Sequence, residues 1–262
     1  MSSDVFAPMV DDLWAQHTEL EILLVDCEPD DWHAPTRCDG WDVADVVLHL
    51  AQTNELAIAS ATGRFAEVAD DFAVTFVANG DAEAVRSIDD AAAVRVAHER
   101  GGPDTLLLAR WERSGDELRA ALLACDPHAR VQWVAGELSA LTLATTRLAE
   151  TWIHTGDVAE AVGVELPPSD RLRPIARLAW RTLPYAFERA DRSLSGPVAF
   201  LLTGPNGDPW SFRPADDAAT VIRGPGADLC AVAARRVAPD TTALVGEGPD
   251  ADAVLELVRT YA

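Results

Sequence analysis

The sequence predicts a mainly α protein with an α+β part: a four-helix bundle over residues 1–164, then a small α+β domain over residues 165–262. Three observations carry that expectation. Four long segments before residue 163 repeat apolar side chains at helical spacing. The run Gly163-Val-Glu-Leu-Pro-Pro168 then ends the last of them and reads as a hinge. Beyond it, short alternating segments and turn residues replace the long helices, so strands flanked by helices are expected. A chain of 262 residues, 48% hydrophobic and 24% charged, is globular in composition and long enough for one large domain or two modest ones.

Taken in order, Val5 to Cys27 is an amphipathic helix whose Met9, Val10, Leu13, Trp14, His17, Leu20 and Leu24 share a face. The two prolines, glycine and clustered acids of Glu28 to Trp41 mark an ordered loop, with Trp32 and Trp41 packing it onto the bundle. Asp42 is placed to cap the next helix, with Asp45 at the reciprocal capping-box position although its side chain is short. That helix runs from Val43 to about Ala61. Its Val43, Val46, Val47, Leu50 and Asn54 stripe faces inward, and His49 lies at the stripe's edge. The pattern weakens from Thr62 to Asp104, with glycines at 63, 80, 101 and 102 and an apolar patch from Phe72 to Val77; Ile88 to Glu99 is a short helix. A third long helix spans about Thr105 to Ala124, on Leu106, Leu107, Trp111, Leu118, Leu122 and Leu123, and ends at Cys125-Asp-Pro127. After an extended Val131 to Val134, the fourth runs from Glu137 to Val162. The second half holds a helix from Asp170 to Phe187, a hairpin of 197–203 and 210–212, and a strand from Ala219 to Ile222. Two further helices, Ala227 to Arg236 and Asp250 to Tyr261, complete it.

Charge narrows the partners. Forty-three acids stand against 21 bases, a formal charge of −22, and every base is Arg because lysine is absent. Nucleic acid and anionic membrane both favour positive charge, so neither is expected as a partner. Cys27, Cys38, Cys125 and Cys230 show no CxxC spacing and read as thiols of a reducing cytoplasm. No segment approaches the roughly 18 unbroken apolar residues of a membrane span, and the first residues lack the basic and apolar regions of a secretory leader. A soluble, cytoplasmic protein is therefore expected.

The chemistry concentrates in Arg147-Leu-Ala-Glu-Thr-Trp-Ile-His-Thr-Gly-Asp157. Glu150 and His154 lie four residues apart, which places them within roughly 40° of each other, one turn apart on one helix face. Leu138, Leu141, Leu143 and Leu148 occupy more than one side of that helix, the pattern of a buried one. A carboxylate and an imidazole in such an interior need a partner. Simple mutual pairing is the commoner outcome of this spacing; a metal ion is the other. His49 would complete a set of two imidazoles and one carboxylate, the catalytic rather than the structural zinc arrangement. His17, on an inward face, reads as a hydrogen-bonded core residue, and Cys38 as an ordinary loop thiol. His33, His98 and His128 sit in polar, loop-like contexts and read as exposed.

Two motifs are together similar to the mycothiol-dependent maleylpyruvate isomerase family. They are Trp32-x-x-Pro-Thr-x-x-x-Gly-Trp41-Asp-Val-Ala-Asp-Val-Val-x-His49-Leu and Arg147-x-x-Glu150-x-x-x-His154-x-x-Asp157. Val221-Ile-Arg-Gly224-Pro-Gly-Ala-Asp-Leu229, Arg235-Arg236 and Gly246-x-Gly248-Pro extend the resemblance to the second half. It implies a DinB-like four-helix metal-binding domain followed by a small α/β domain resembling the sterol-carrier-protein fold. It further implies that His49, Glu150 and His154 ligate a divalent metal, usually zinc, and that Asp157 serves in catalysis. The family's catalytic arginine aligns with Arg236, where it would reach across a domain interface to bind a substrate carboxylate. Arg235 stands where the family has glycine, so which of the two faces the cleft stays open.

The implied activity is a zinc-dependent, mycothiol-using isomerase or S-transferase acting on a small electrophilic, unsaturated acid-like substrate. Its partners would be that small molecule and the low-molecular-weight thiol. A rival keeps the metal without the thiol, as a hydrolase or a Lewis-acid isomerase or cyclase. Another is a small-molecule binding protein whose structural metal takes a fourth ligand from His17 or Cys38.

Overall fold

The structure, a computed structural model, describes residues 3–68, 88–134 and 136–260. The expected patch from Phe72 to Val77 and the glycine at 80 lie outside them. The chain divides into two compact units, Met1–Leu166 and Pro167–Ala262.

The first unit contains α1 (Ser3–Val25), α2 (Val43–Ala61), α3 (Ile88–Glu99), α4 (Asp104–Leu123) and α5 (Ala140–Ala161). The four long helices pack α2 on α4 and α1 on α5, with further contact of α2 with α5 and α1 with α4. Both halves of the capping box at α2 form. Asp45 N–H donates to the Asp42 carboxylate at 2.9 Å, and Asp42 N–H donates to that of Asp45 at 3.4 Å. From that start, Val43, Val46, Val47 and Leu50 are driven into the core.

Two details differ from expectation. α5 begins at Ala140 rather than Glu137, because Leu138–Ser139 (β2) pairs antiparallel with Arg130–Val131 (β1) and the Ser139 hydroxyl caps the helix at Thr142 N–H. On α4, Leu106 and Leu123 are exposed while Trp111, Leu118 and Leu122 are buried. Steps of seven and four residues keep the last three on one face, whereas Leu106 lies five residues from Trp111 and falls off it.

The second unit carries a four-stranded sheet in the order β4-β3-β5-β6, with β3 Val198–Thr203, β4 Pro209–Phe212, β5 Thr220–Pro225 and β6 Val245–Glu247. β3 pairs antiparallel with β4 and parallel with β5, and β6 runs antiparallel to β5. Strand β6 was not expected; three residues around Gly246 show no alternating pattern. The single helix expected from Asp170 to Phe187 is two, α6 (Leu172–Arg181) and α7 (Leu183–Arg189). Pro184, in the first turn of α7, has no N–H and cannot continue the preceding helix. α8 covers Gly226–Ala233 and α9 Ala251–Leu257, each shorter than its apolar pattern suggested. A mainly helical protein with a small α+β part is thus what the chain forms. No helix among the described residues is long and apolar enough to cross a membrane.

Candidate metal centre

Helix α5 is buried along almost its whole length, from Leu143 to Ala159, so its polar residues have to meet partners from neighbouring helices. Glu150 meets His49 of α2, with 2.7 Å between the Glu150 carboxylate and His49 Nε2. The same carboxylate oxygen lies 3.5 Å from His154 Nε2, one turn further along α5. The two imidazoles stand edge to face with centroids 5.1 Å apart. One ligand atom from each of His49, Glu150 and His154 lies within 4.8 Å of the other two, and all three residues are buried. His154 Nδ1 points the other way, 3.0 Å from a carboxylate oxygen of Asp157. Asp157, only 1% exposed, is a buried partner of the imidazole rather than a solvated helix residue. Trp41 closes the other side of His49 with its ring centroid 5.1 Å away; half-buried, it packs against the hydrophobic core as expected and also borders the site.

The charges follow from this packing. Burial would raise the Glu150 carboxyl, but hydrogen bonds from His154 and His49 and the charge of Arg147 together hold it well below the usual carboxylate range. Burial would lower His154, yet its bonds to Asp157, Cys38 and Glu150 reverse that and hold the imidazole well above its ordinary value. In His49 burial wins over the pull of Glu150, and the ring is pushed down towards the neutral form. Two imidazole nitrogens and a carboxylate oxygen on one buried point form a donor set that suits a divalent ion such as zinc. An Asp157 carboxylate taking the Nδ1 proton would fix the His154 tautomer that leaves Nε2 free to ligate.

Residues 13–159 match the family model described as the mycothiol maleylpyruvate isomerase N-terminal domain. The chain belongs to that family. Two uncharacterized proteins of Mycobacterium tuberculosis, from strains CDC 1551 / Oshkosh and ATCC 25618 / H37Rv, are each 35% identical to it, over 97% of this chain and 95% of theirs. Among solved structures, the mycothiol-dependent maleylpyruvate isomerase and its histidine-to-alanine mutant share the fold. Each superposes with a TM-score of 0.59, at 18% and 17% identity respectively, over 93% of this chain and 95% of theirs.

Within this member of the mycothiol maleylpyruvate isomerase family, the remaining candidates fall in different places. Cys38, expected to be a plain loop thiol, stands in the site, with Sγ 3.3 Å from the Asp157 carboxylate and 3.8 Å from His154 Nδ1. No feature of its spacing indicates this, because a loop brings it there. Arg147, 2% exposed, is a buried cation that sequence reasoning passed over. It donates through Nη2 to the Thr53 hydroxyl at 2.9 Å and to the Asn54 side-chain oxygen Oδ1 at 3.3 Å. As the single charge between Glu137 and Glu150 it was there to be found. His17 is buried elsewhere in the bundle, its ring 5.4 Å from that of Trp111, and its Nε2 has no hydrogen-bond partner, contrary to the bonded core residue expected. His33, His98 and His128 are exposed, although His98 lies on α3 rather than in a loop.

In the second unit, Arg235 adopts φ 61°, the left-handed conformation, just past the end of α8. Arg236 N–H bonds back to the Ala231 carbonyl and Arg235 N–H to that of Val232, the paired closure that ordinarily calls for glycine at the left-handed position. The turn separates the two arginines: Arg235 is exposed, while Arg236 is half-buried and donates through Nη1 to the Ala234 carbonyl at 3.1 Å.

Proposed function

We propose that this protein is a metal-dependent enzyme that uses mycothiol to isomerise, or to attach sulfur to, a small electrophilic unsaturated acid, and that it works in the cytoplasm. The convergence of His49, Glu150 and His154 within 4.8 Å, all three buried, carries the reading; membership of a family named for a mycothiol-using isomerase directs it. His49 and His154 would hold a divalent ion, zinc by preference, through their Nε2 atoms, and Glu150 through its carboxylate. When bound, the ion would hold the mycothiol sulfur as a thiolate at neutral pH, the nucleophile that isomerisation of, or sulfur transfer to, an electrophilic carbon requires. Asp157 orients His154 by accepting a hydrogen bond from Nδ1–H, and stands where it can take or return a proton at the edge of the site. Arg236, rather than the exposed Arg235, is assigned to the substrate carboxylate. Cysteines without disulfides among the described residues are in keeping with a reducing compartment.

Metal analysis of the purified protein beside His49→Ala and His154→Ala tests the first half of the reading. Mycothiol consumption against a series of α,β-unsaturated acids tests the second. Bound metal with substrate turnover that ignores mycothiol would replace this reading by thiol-independent Lewis-acid or hydrolytic chemistry.

A further inference from the structure

His154 presents a different ring nitrogen to each of two donor groups. Its Nε2 faces Glu150 and His49, and its Nδ1 faces Asp157 and Cys38. We propose that Cys38, His154 and Asp157 form a second metal site, sharing His154 with the first and taking a thiophilic divalent ion such as zinc, cadmium or cobalt.

Geometry is the first support. The three ligand atoms are separated by 3.0 Å (Nδ1 to the Asp157 oxygen), 3.3 Å (Sγ to that oxygen) and 3.8 Å (Sγ to Nδ1). A triangle of that shape has a centre about 2.0 Å from every corner, beside zinc bond lengths of roughly 2.0–2.3 Å to oxygen, nitrogen and sulfur. The three ligand atoms are therefore spaced so that a single ion could reach all of them.

Placement is the second. His154 and Asp157 are buried while Cys38 is half-buried, so the site has two ligands fixed on α5 and a third on the adjoining loop. The thiol is held by its own loop: Cys38 N–H donates to the Thr36 hydroxyl at 3.2 Å, and Trp41 N–H to the Cys38 carbonyl at 3.0 Å. Thiolate, imidazole and carboxylate are moreover the three ligand types that zinc takes from proteins.

Binding here would displace the Cys38 thiol proton and, with the first site also filled, the His154 Nδ1 proton, both to solvent; Asp157 then serves as a ligand, and accepts from Nδ1–H only while the second site is empty. The test is a cobalt(II) titration of the full-length protein followed by absorbance. The wild type is expected to take up two ions per chain, with a thiolate-to-cobalt charge-transfer band in the near ultraviolet. Cys38→Ser should lose that band and one ion, with Cys38→Ala as the substitute if the serine variant does not fold. His49→Ala should keep the band and lose the other ion. Saturation of the wild type at one ion without the band overturns the proposal. So does a band that survives in Cys38→Ser, or one that disappears in His49→Ala. Mycothiol turnover is not read in this experiment, so its outcome stands apart from the function proposed above.

Discussion

Two histidines buried in the same bundle are driven in opposite directions. His154 lies between the carboxylates of Glu150 and Asp157 and is held well above its ordinary value of 6.5. His17, packed against the Trp111 ring with Nε2 unpartnered, is pushed down to about 3, by burial first and then by the charge of Arg147. Depth is therefore not what makes a site. An imidazole surrounded by ring and helix must be neutral, while the same group facing two carboxylates holds a cation, either a proton or a metal ion.

The sharpest way to break this contrast is to remove the partner of Glu150. His49→Ala is expected to abolish metal retention at the first site, read as metal content after dialysis, whereas His17→Leu leaves it unchanged. An equal loss in both would mean that the His49–Glu150–His154 set is not the ligand set.

The two rings should next differ in the sign of their pH dependence. His17 stays neutral in the fold while the unfolded chain takes up its proton below 6.5. Its contribution is thus lost as pH falls from 6.5 towards 3, by about 3 kcal/mol at pH 4.5. Urea unfolding of wild type and His17→Leu at pH 7 and pH 4.5 should show a smaller acid loss in the variant. His154 works the other way. Its raised folded value stabilises the metal-free protein below 6.5, and that contribution fades as pH rises through the raised value. Excess zinc should remove this alkaline loss.

Asp157→Asn, which keeps the shape and discards the charge behind His154, is expected to weaken metal binding by about 10–100-fold. Competition with a chromophoric chelator measures it. The smallest effect concerns the His17 side, where a Cβ on Gly115 would stand 2.7 Å from His17 Nδ1. Gly115→Ala should cost about 1–3 kcal/mol in chemical denaturation through forced repacking, with metal affinity intact.

The parts of the molecule that were legible beforehand are those governed by neighbours in the chain. The capping box of Asp42 and Asp45, the Val43–Leu50 stripe and the four-residue step from Glu150 to His154 depend on helical geometry alone. His49 could be joined to that pair because it lies at the edge of the α2 stripe and within the motif that resembles the family's. Cys38 entered only as a rival's fourth ligand, since the fold of the Glu28–Trp41 loop against α5 is what carries its thiol to Asp157. Likewise, the left-handed turn at Arg235 and the short strand β6 leave no periodic trace.

Sequence by itself determined the succession of helices, the acidic surface and the residue types available for ligation, because helical period, capping and composition act over a few residues. Only tertiary structure decided which of the buried polar groups face one another. The ionisation of His17 follows from water excluded by packing and from the charge of Arg147 on another helix, whereas the carboxylates that raise His154 lie on its own helix and act through the burial that packing imposes.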